Sequence, residues 1–478
     1  MSKKILHHPL FFLFVYLLIH FLLRITLSDT LQVDDREQIF YSQSLHFGYD
    51  MPQPPLYSWI SYVFFKIFGV QLFTVTFVKY FLIFITFIYL FLAAEIVFKD
   101  RTKVKILLSS FLLMPSFAWH MHQGFTHTIL LGLAISMTFF YFLKLHFDKK
   151  KIYYFFLGIS IGIGLLSKYS YLIFLFLTLV SILISKSKKN IILDKAFLIT
   201  LIVGLLISMP HYSWLIENWS QIFPLAHERL ISSNNLTVFS KFREIILSSI
   251  GFLTPLVFVV LLIFLFSIRH LSKKNGKFIP PTIENFLDKY FIIMLILLAF
   301  SLVLIDIKEV KVRWLHPILM IFPFWLYLKA FKYIDLKNKF LKPFIISTVI
   351  FTTLVFLIRI AQMTIAPELG YKGRINTPIV SSLRKIPLSI INEIDTIKTD
   401  DYFLGPHIFG VFRDKRIIIL KEAFRDIDNS NLKNCLIIWD NDGYDDNHKL
   451  KFEKFSGKIN NKYGYSLFYK FLDNGNCK

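Results

Sequence analysis

The amino-acid sequence predicts an all-α polytopic membrane protein of about eleven transmembrane helices, with a small C-terminal extracytoplasmic α/β domain. Three observations carry that prediction. Hydrophobic residues make up 55% of the 478-residue chain and charged residues only 18%, where soluble domains run to about a quarter charged. The mean hydropathy is +0.56, and the apolar residues are gathered into long blocks. Basic residues concentrate in alternate connections between those blocks, and a polar stretch closes the chain. Because Gly (18), Pro (17) and Cys (2) are scarce, collagen-like, disordered and disulfide-scaffold chains are excluded.

The first apolar block, from Pro9 to Leu27, follows Lys3 and Lys4. No small-residue cleavage site follows it and Arg24 interrupts its end, so it reads as a retained span rather than a signal peptide. Further blocks lie near 71–98, 104–120, 124–146, 152–167, 169–185, 192–210, 246–268, 289–306, 315–331 and 343–362. With the N-terminus inside, the inside connections hold Lys99, Arg101, Lys103 and Lys105, then Lys149, Lys150 and Lys151, then Lys186, Lys188 and Lys189, and comparable clusters after the later blocks. These outnumber the basic residues of the outside loops, as the positive-inside rule requires. The net charge of +22 is thereby explained by membrane orientation, and nucleic acid is not an expected partner. The expected location is the bacterial inner membrane, multi-pass, with a cytoplasmic N-terminus.

An odd number of spans puts the final segment on the periplasmic side. The division expected is a transmembrane module over 1–362 and an extracytoplasmic domain over 363–478. In the latter, Arg416 to Leu420 and Cys435 to Trp439 read as buried strands. Both cysteines, Cys435 and Cys477, lie in this domain, which leaves a disulfide open in an oxidising compartment. Within the bundle, Gly158 and Gly162 stand four apart, a spacing that lets helices approach closely.

The candidate chemistry gathers in the first outside loop, about residues 28–70. Asp34 and Asp35 stand just beyond the first span, where a carboxylate can take a proton from a hydroxyl at the water–lipid boundary. Equally, these acids suit the start of the helix that follows, as caps or dipole partners. Leu56 to Phe68 alternates apolar residues and Lys66 at helical spacing and reads as an interfacial helix. The histidines His120, His122 and His127 match no standard metal-ligand spacing, so no cofactor is assigned and a divalent metal is not indicated.

The order of motifs resembles the GT-C membrane glycosyltransferases, in the branch of protein O-mannosyltransferases and of lipid A aminoarabinose and galacturonic acid transferases. The resemblance rests on Asp34-Asp35; on Gln43-Ser-Leu followed by Gly48-Tyr49; on Gln53-Pro-Pro-Leu-Tyr57-x-Trp59; and on Gly124-Phe-Thr-His127-Thr128. It rests also on Gly162-Ile-Gly-Leu-Leu-Ser-Lys168-Tyr169, on Pro210-His211-x-x-Trp214-Leu-x-Glu217-Asn218, and on Val312-Arg313-Trp314-Leu-x-Pro317. It covers roughly residues 1–330 and leaves the tail out. The resemblance implies a polyprenyl-phosphate sugar as donor and an acceptor on the outer face, lipid A or the lipopolysaccharide core. It implies Asp34 as base with Asp35 beside it, and Lys168, Arg313 and Arg36 as cations for the departing phosphate. Gln43, Tyr49, Gln53, His127, His211 and Glu217 would contact the substrates, and direct displacement would invert the anomeric carbon. Where aminoarabinose transferases tend to carry Lys before the first-loop Pro, this chain has Gln53, a form closer to the galacturonic acid branch.

Two rival functions stand beside that reading. A protein O-mannosyltransferase would use the same donor chemistry with a Ser or Thr acceptor. A transporter or flippase of a lipid-linked sugar would place its polar residues near the bilayer midplane, whereas here they gather at the outer ends of the spans.

Overall fold

The computed structural model describes residues 8–42, 44–49, 51–185, 191–230, 237–267, 281–304, 311–332, 338–371, 373, 375–399, 403–419, 434–440, 457–461 and 464–472. Among the described residues each of the eleven apolar blocks contains helix. Pro9–Leu27, Leu72–Phe98, Thr126–Phe147, Phe197–Glu217 and Phe340–Glu368 are each long and apolar enough to cross a membrane. Two further blocks fall on helix pairs that bend sharply at a short break. Arg101–Phe111 turns by 72° into Pro115–His122, and Val238–Leu253 turns by 75° into Leu256–Leu265. Counting each bent pair as one gives up to seven spans among the described residues. Lys151–Leu165 and Tyr171–Ile184 are shorter apolar helices, and 315–331 is broken into His316–Leu319 and Phe322–Ala330 by prolines at each start.

The chain forms two compact units, one of 1–18, 47–57 and 80–355, the other of 19–46, 58–79 and 356–478. In the first, Thr126–Phe147 is the central element, with 94% of its apolar window buried, against 28% for Phe197–Glu217. Lys151–Leu165 packs on both. The Gly158/Gly162 pair makes the second contact close. A Cβ on Gly158 would lie 2.8 Å from the Thr200 carbonyl, and one on Gly162 would lie 2.7 Å from Ile207. Such a stripe is helix packing without a hydrophobic driving force.

The second unit holds the first-loop helix Val33–Tyr41 and the helix Leu56–Phe68, with the tail. The tail carries a five-stranded sheet of β1 (Thr396–Thr399), β2 (Arg416–Ile419), β3 (Cys435–Asp440), β4 (Gly457–Asn460) and β5 (Ser466–Leu472), ordered β2-β1-β3-β5-β4. β1 runs parallel to β2 and β3, while β5 runs antiparallel to β3 and β4. The short helix Gly405–Val411 makes the crossover that a parallel β1–β2 pair requires. β1 and β3 are buried along their whole length, as parallel central strands are. Their core of Ile397, Leu436, Ile438, Leu467 and Ile408 also takes in Phe40 from the first-loop helix. Cys435 is disulfide-bonded; the chain's other cysteine, Cys477, lies outside the described residues.

Candidate active site

The first-loop helix Val33–Tyr41 begins after Gln32, whose side chain makes no cap bond. Asp34 and Asp35 are therefore not its caps. They occupy the first turn, where the exposed N–H groups favour negative charge. Their environments differ sharply. Asp35 is 0% exposed and forms a 2.7 Å ion pair with Lys79, itself 2% exposed. Asp34 is half-buried, leaving it a surface that Asp35 lacks. Gln38, one turn on, accepts from Ser58 at 2.8 Å and ties this helix to Leu56–Phe68.

Arg36 lies 3.5 Å over the ring of Phe403, a desolvated cation–π contact. It is thus engaged with an aromatic face of the tail. The entry to the helix is fixed from the same side. Arg24 donates to the Ser28 carbonyl at 3.0 Å and also to that of Thr30. Ser28 donates to the Ile375 carbonyl, and Thr30 to that of Thr377. The Leu31 N–H donates to Nε2 of His407 at 2.9 Å, and His407 in turn donates from Nδ1 to the Phe403 carbonyl at 2.9 Å. That pair of bonds fixes the imidazole as the Nδ1–H tautomer. Burial is the main reason that its pKa is pushed down to about 3.

In the bundle unit His127, Lys168 and Arg313 lie near one helix end. The central helix Thr126–Phe147 starts after Phe125, which sits at φ 70°, a left-handed conformation that a bulky side chain adopts only at a cost of about 1 kcal/mol or more. Within its first turn, His127 donates to the Ser167 carbonyl at 3.3 Å and Thr128 accepts from Lys168 Nζ at 3.0 Å. The Arg313 guanidinium lies 5.9 Å from the Phe125 ring. Of two half-buried cations, Lys168 thus reaches the first turn of this helix, where an anion is favoured, and Arg313 lies against the side chain of the residue that precedes it. The hydroxyl oxygens of Thr126 and Ser170, and both ring nitrogens of His316, are buried without a hydrogen-bond partner.

The first loop returns to this region. Leu56 N–H donates to the Leu166 carbonyl at 3.2 Å, and the buried Tyr57 ring lies 5.9 Å from that of His127. Gln53 makes a tight turn by donating its N–H to the Met51 carbonyl, and its Oε1 is buried without a partner. Tyr49 is buried. His211 donates from Nδ1 to the Phe47 carbonyl at 2.8 Å, so its Nε2 accepts from the Tyr169 hydroxyl at 3.1 Å. Both ring nitrogens being engaged, His211 secures the loop. Trp214 covers Gly48, where a Cβ would fall 2.0 Å from the indole. Glu217 is exposed at its helix end, and Gln43 lies outside the described residues. The other histidines go separate ways. His122 bonds Tyr16 and Tyr80 through opposite ring nitrogens, each at 2.9 Å, and His120 packs near Phe125. Among the described residues no group of three or more His, Cys, Asp or Glu could hold a metal ion.

Sequence reasoning passed over Lys79 and His407. Lys79 had a signal, an ionisable residue inside an apolar block. His407 had none, because its partner is a backbone N–H 376 residues away.

The fold is shared with a solved membrane protein, ArnT. ArnT from Cupriavidus metallidurans bound to undecaprenyl phosphate superimposes with a TM-score of 0.58 at 11% identity, covering 96% of this chain and 97% of that one. The same protein in the apo state gives 0.59 at 12% identity with the same coverage. In sequence, the pattern of the dolichyl-phosphate-mannose-protein mannosyltransferase family matches residues 52–214. The lipopolysaccharide core galacturonosyltransferase RgtB of Rhizobium johnstonii is 28% identical over 310 residues, 64% of this chain and 62% of the relative. RgtA of the same organism is 31% identical over 129 residues, 27% of this chain and 26% of that relative. The chain thus matches less than two thirds of the length of these curated relatives. The resemblance drawn from the motifs holds in fold and in sequence similarity: the chain is a multi-pass membrane protein with the fold of ArnT, and it is similar over part of its length to RgtB and RgtA.

Proposed function

We propose that the protein is an inverting glycosyltransferase. It moves one sugar from a polyprenyl phosphate to lipid A or the lipopolysaccharide core, on the periplasmic side of the inner membrane. The observation that carries this is Lys168 at the first turn of the central helix with Arg313 against the residue before it, since a phosphate leaving group needs charge-assisted donors. In the reaction, an acceptor hydroxyl oxygen bonds to the anomeric carbon as the carbon–oxygen bond to phosphate breaks. The phosphate takes that electron pair, and the hydroxyl proton passes to a carboxylate. Asp34 fills that role, since Asp35 is committed to Lys79. The motif resemblance assigns Gln53, Tyr49 and His127 to contact with the substrates. The lipopolysaccharide acceptor and a uronic acid sugar are supported by the relatives RgtB and RgtA and by the Gln-Pro-Pro form of the first loop. The bridged Cys435 supports an oxidising compartment for the tail.

Mass spectrometry of lipid A and core from cells with and without the gene tests this directly. Loss of one uronic-acid mass unit is the expected result. Unchanged lipids with a missing hexose on secreted proteins would establish the protein O-mannosyltransferase reading that the match over 52–214 favours. No sugar change anywhere would return the chain to lipid-linked sugar transport.

A further inference from the structure

The helix bearing Asp34 is nine residues long, and its N-cap side chain makes no cap bond. A helix of that length is marginal by itself. Its entry is instead held by long-range bonds, and the nearest to the acid pair is the Leu31 N–H, which would be a buried donor without an acceptor if His407 were absent. His407 is fully buried, and its tautomer is set by the Phe403 carbonyl. Phe403 in turn lies under Arg36, which follows Asp35 in the chain. The segment Phe403–His407 therefore holds the acid-bearing turn both before and after Asp34. Further along, Arg413 donates to the Gln71 side chain at 2.8 Å, and Phe409 packs against Leu31, Ile39, Phe65 and Val75.

We infer that His407 is a positioning residue for the transfer reaction. By accepting from the Leu31 N–H it fixes the start of the first-loop helix, and with it the direction of the Asp34 carboxylate. The inference rests on the assignment of Asp34 as base. The tail domain then acts on turnover through the loop it grips, without touching substrate.

Two substitutions separate the bonds. In His407→Gln the amide oxygen can stand in for Nε2 and accept from Leu31. In His407→Asn the amide nitrogen can stand in for Nδ1 and donate to Phe403, and the Leu31 N–H is left without its acceptor. The full-length variants would be expressed in cells lacking the gene and scored for the lipid mass unit that the wild type restores. They would also be purified for hydrogen exchange at residues 29–41. His407→Asn is expected to speed exchange at Leu31 and the following turn at least 10-fold and to lower the rate of lipid modification by a similar factor, at equal membrane abundance. His407→Gln should restore both. Unchanged exchange in His407→Asn would overturn the inference, and so would faster exchange with undiminished modification. Asp34→Asn, run alongside, isolates the underlying assignment. Full modification by that variant refutes Asp34 as base, whatever the His407 variants do.

Discussion

Replacing Lys79 by Met gives the sharpest test of how the two neighbouring acids divide their tasks. The Asp35 carboxylate is 0% exposed and 2.7 Å from the Lys79 ammonium, so the substitution leaves a carboxylate buried without its ion-pair partner. Breaking such a pair from one side costs about 3–5 kcal/mol, where an exposed pair would cost at most about 1 kcal/mol. For a unit of this size the thermal midpoint should fall on the order of 10 °C. Replacing both partners, Asp35→Leu with Lys79→Met, removes that carboxylate as well. It should return stability to within about 1–2 kcal/mol of the wild type, because a buried pair and a well-packed apolar pair are often close in net worth.

The measurement is a double-mutant cycle on purified protein in mixed micelles, followed by denaturant and by heat. A coupling energy of about 2–3 kcal/mol or more is expected, as for residues in direct contact. A Lys79→Met variant within about 1 kcal/mol of wild type would refute the reasoning, since the pair would then behave as a solvated one. The cycle also speaks to chemistry. If the pair serves only to seat the acid-bearing turn, lipid modification should recover with stability in the double variant. Recovered stability with modification still lost would place Asp35 or Lys79 in the reaction itself.

Asp34→Asn should leave the protein inserted and folded but lower turnover about 100-fold or more, the usual loss on removing a general base; near-normal lipid modification would reduce Asp34 to a dipole partner of its helix. Arg313→Ala should weaken binding of polyprenyl phosphate by about 1.5–3 kcal/mol, the worth of a hydrogen bond to a charged group, measured by titration of the purified protein. Unchanged affinity would make Arg313 a membrane-interface anchor. For acid stability the sign follows from His407. Folded, the buried imidazole stays neutral down to about pH 3; unfolded, it takes up a proton near pH 6.5. The unfolded state binds more protons between those values, so stability is full above about pH 6.5. It falls by up to about 1.4 kcal/mol per pH unit as the pH drops toward 3. His407→Gln should flatten the fall in denaturant midpoint between pH 6.5 and 4, and an unchanged slope would exclude His407 as its source.

What the sequence shows and what it conceals divide along the range of the forces involved. Apolar blocks declare helices because burial in lipid acts residue by residue, so Leu72–Phe98 and Thr126–Phe147 are readable without a partner. The same holds for Leu56–Phe68, whose 3.6-residue pattern is local, and for Cys435 to Trp439, whose apolar run needs only a sheet to enter. The bends at residues 112–114 and 254–255 are less visible, since a run of hydropathy does not register a change of direction. The candidate site is legible to the extent that its chemistry is carried by neighbours in the chain. Asp34 and Asp35 could be seen together, yet nothing in their order says which is neutralised. That is decided by Lys79, which lies on a different helix. In the same way, Lys168 and Arg313, far apart in the chain, are brought near the start of Thr126–Phe147 only by the fold. His407 marks the limit of the sequence reading. A buried histidine in a tail outside the motif pattern has no mark of importance until the chain folds and a backbone N–H beside the acid pair finds its acceptor there. Positioning is a property of geometry, and the contact that the tail makes beside the acid pair lies beyond the reach of any motif.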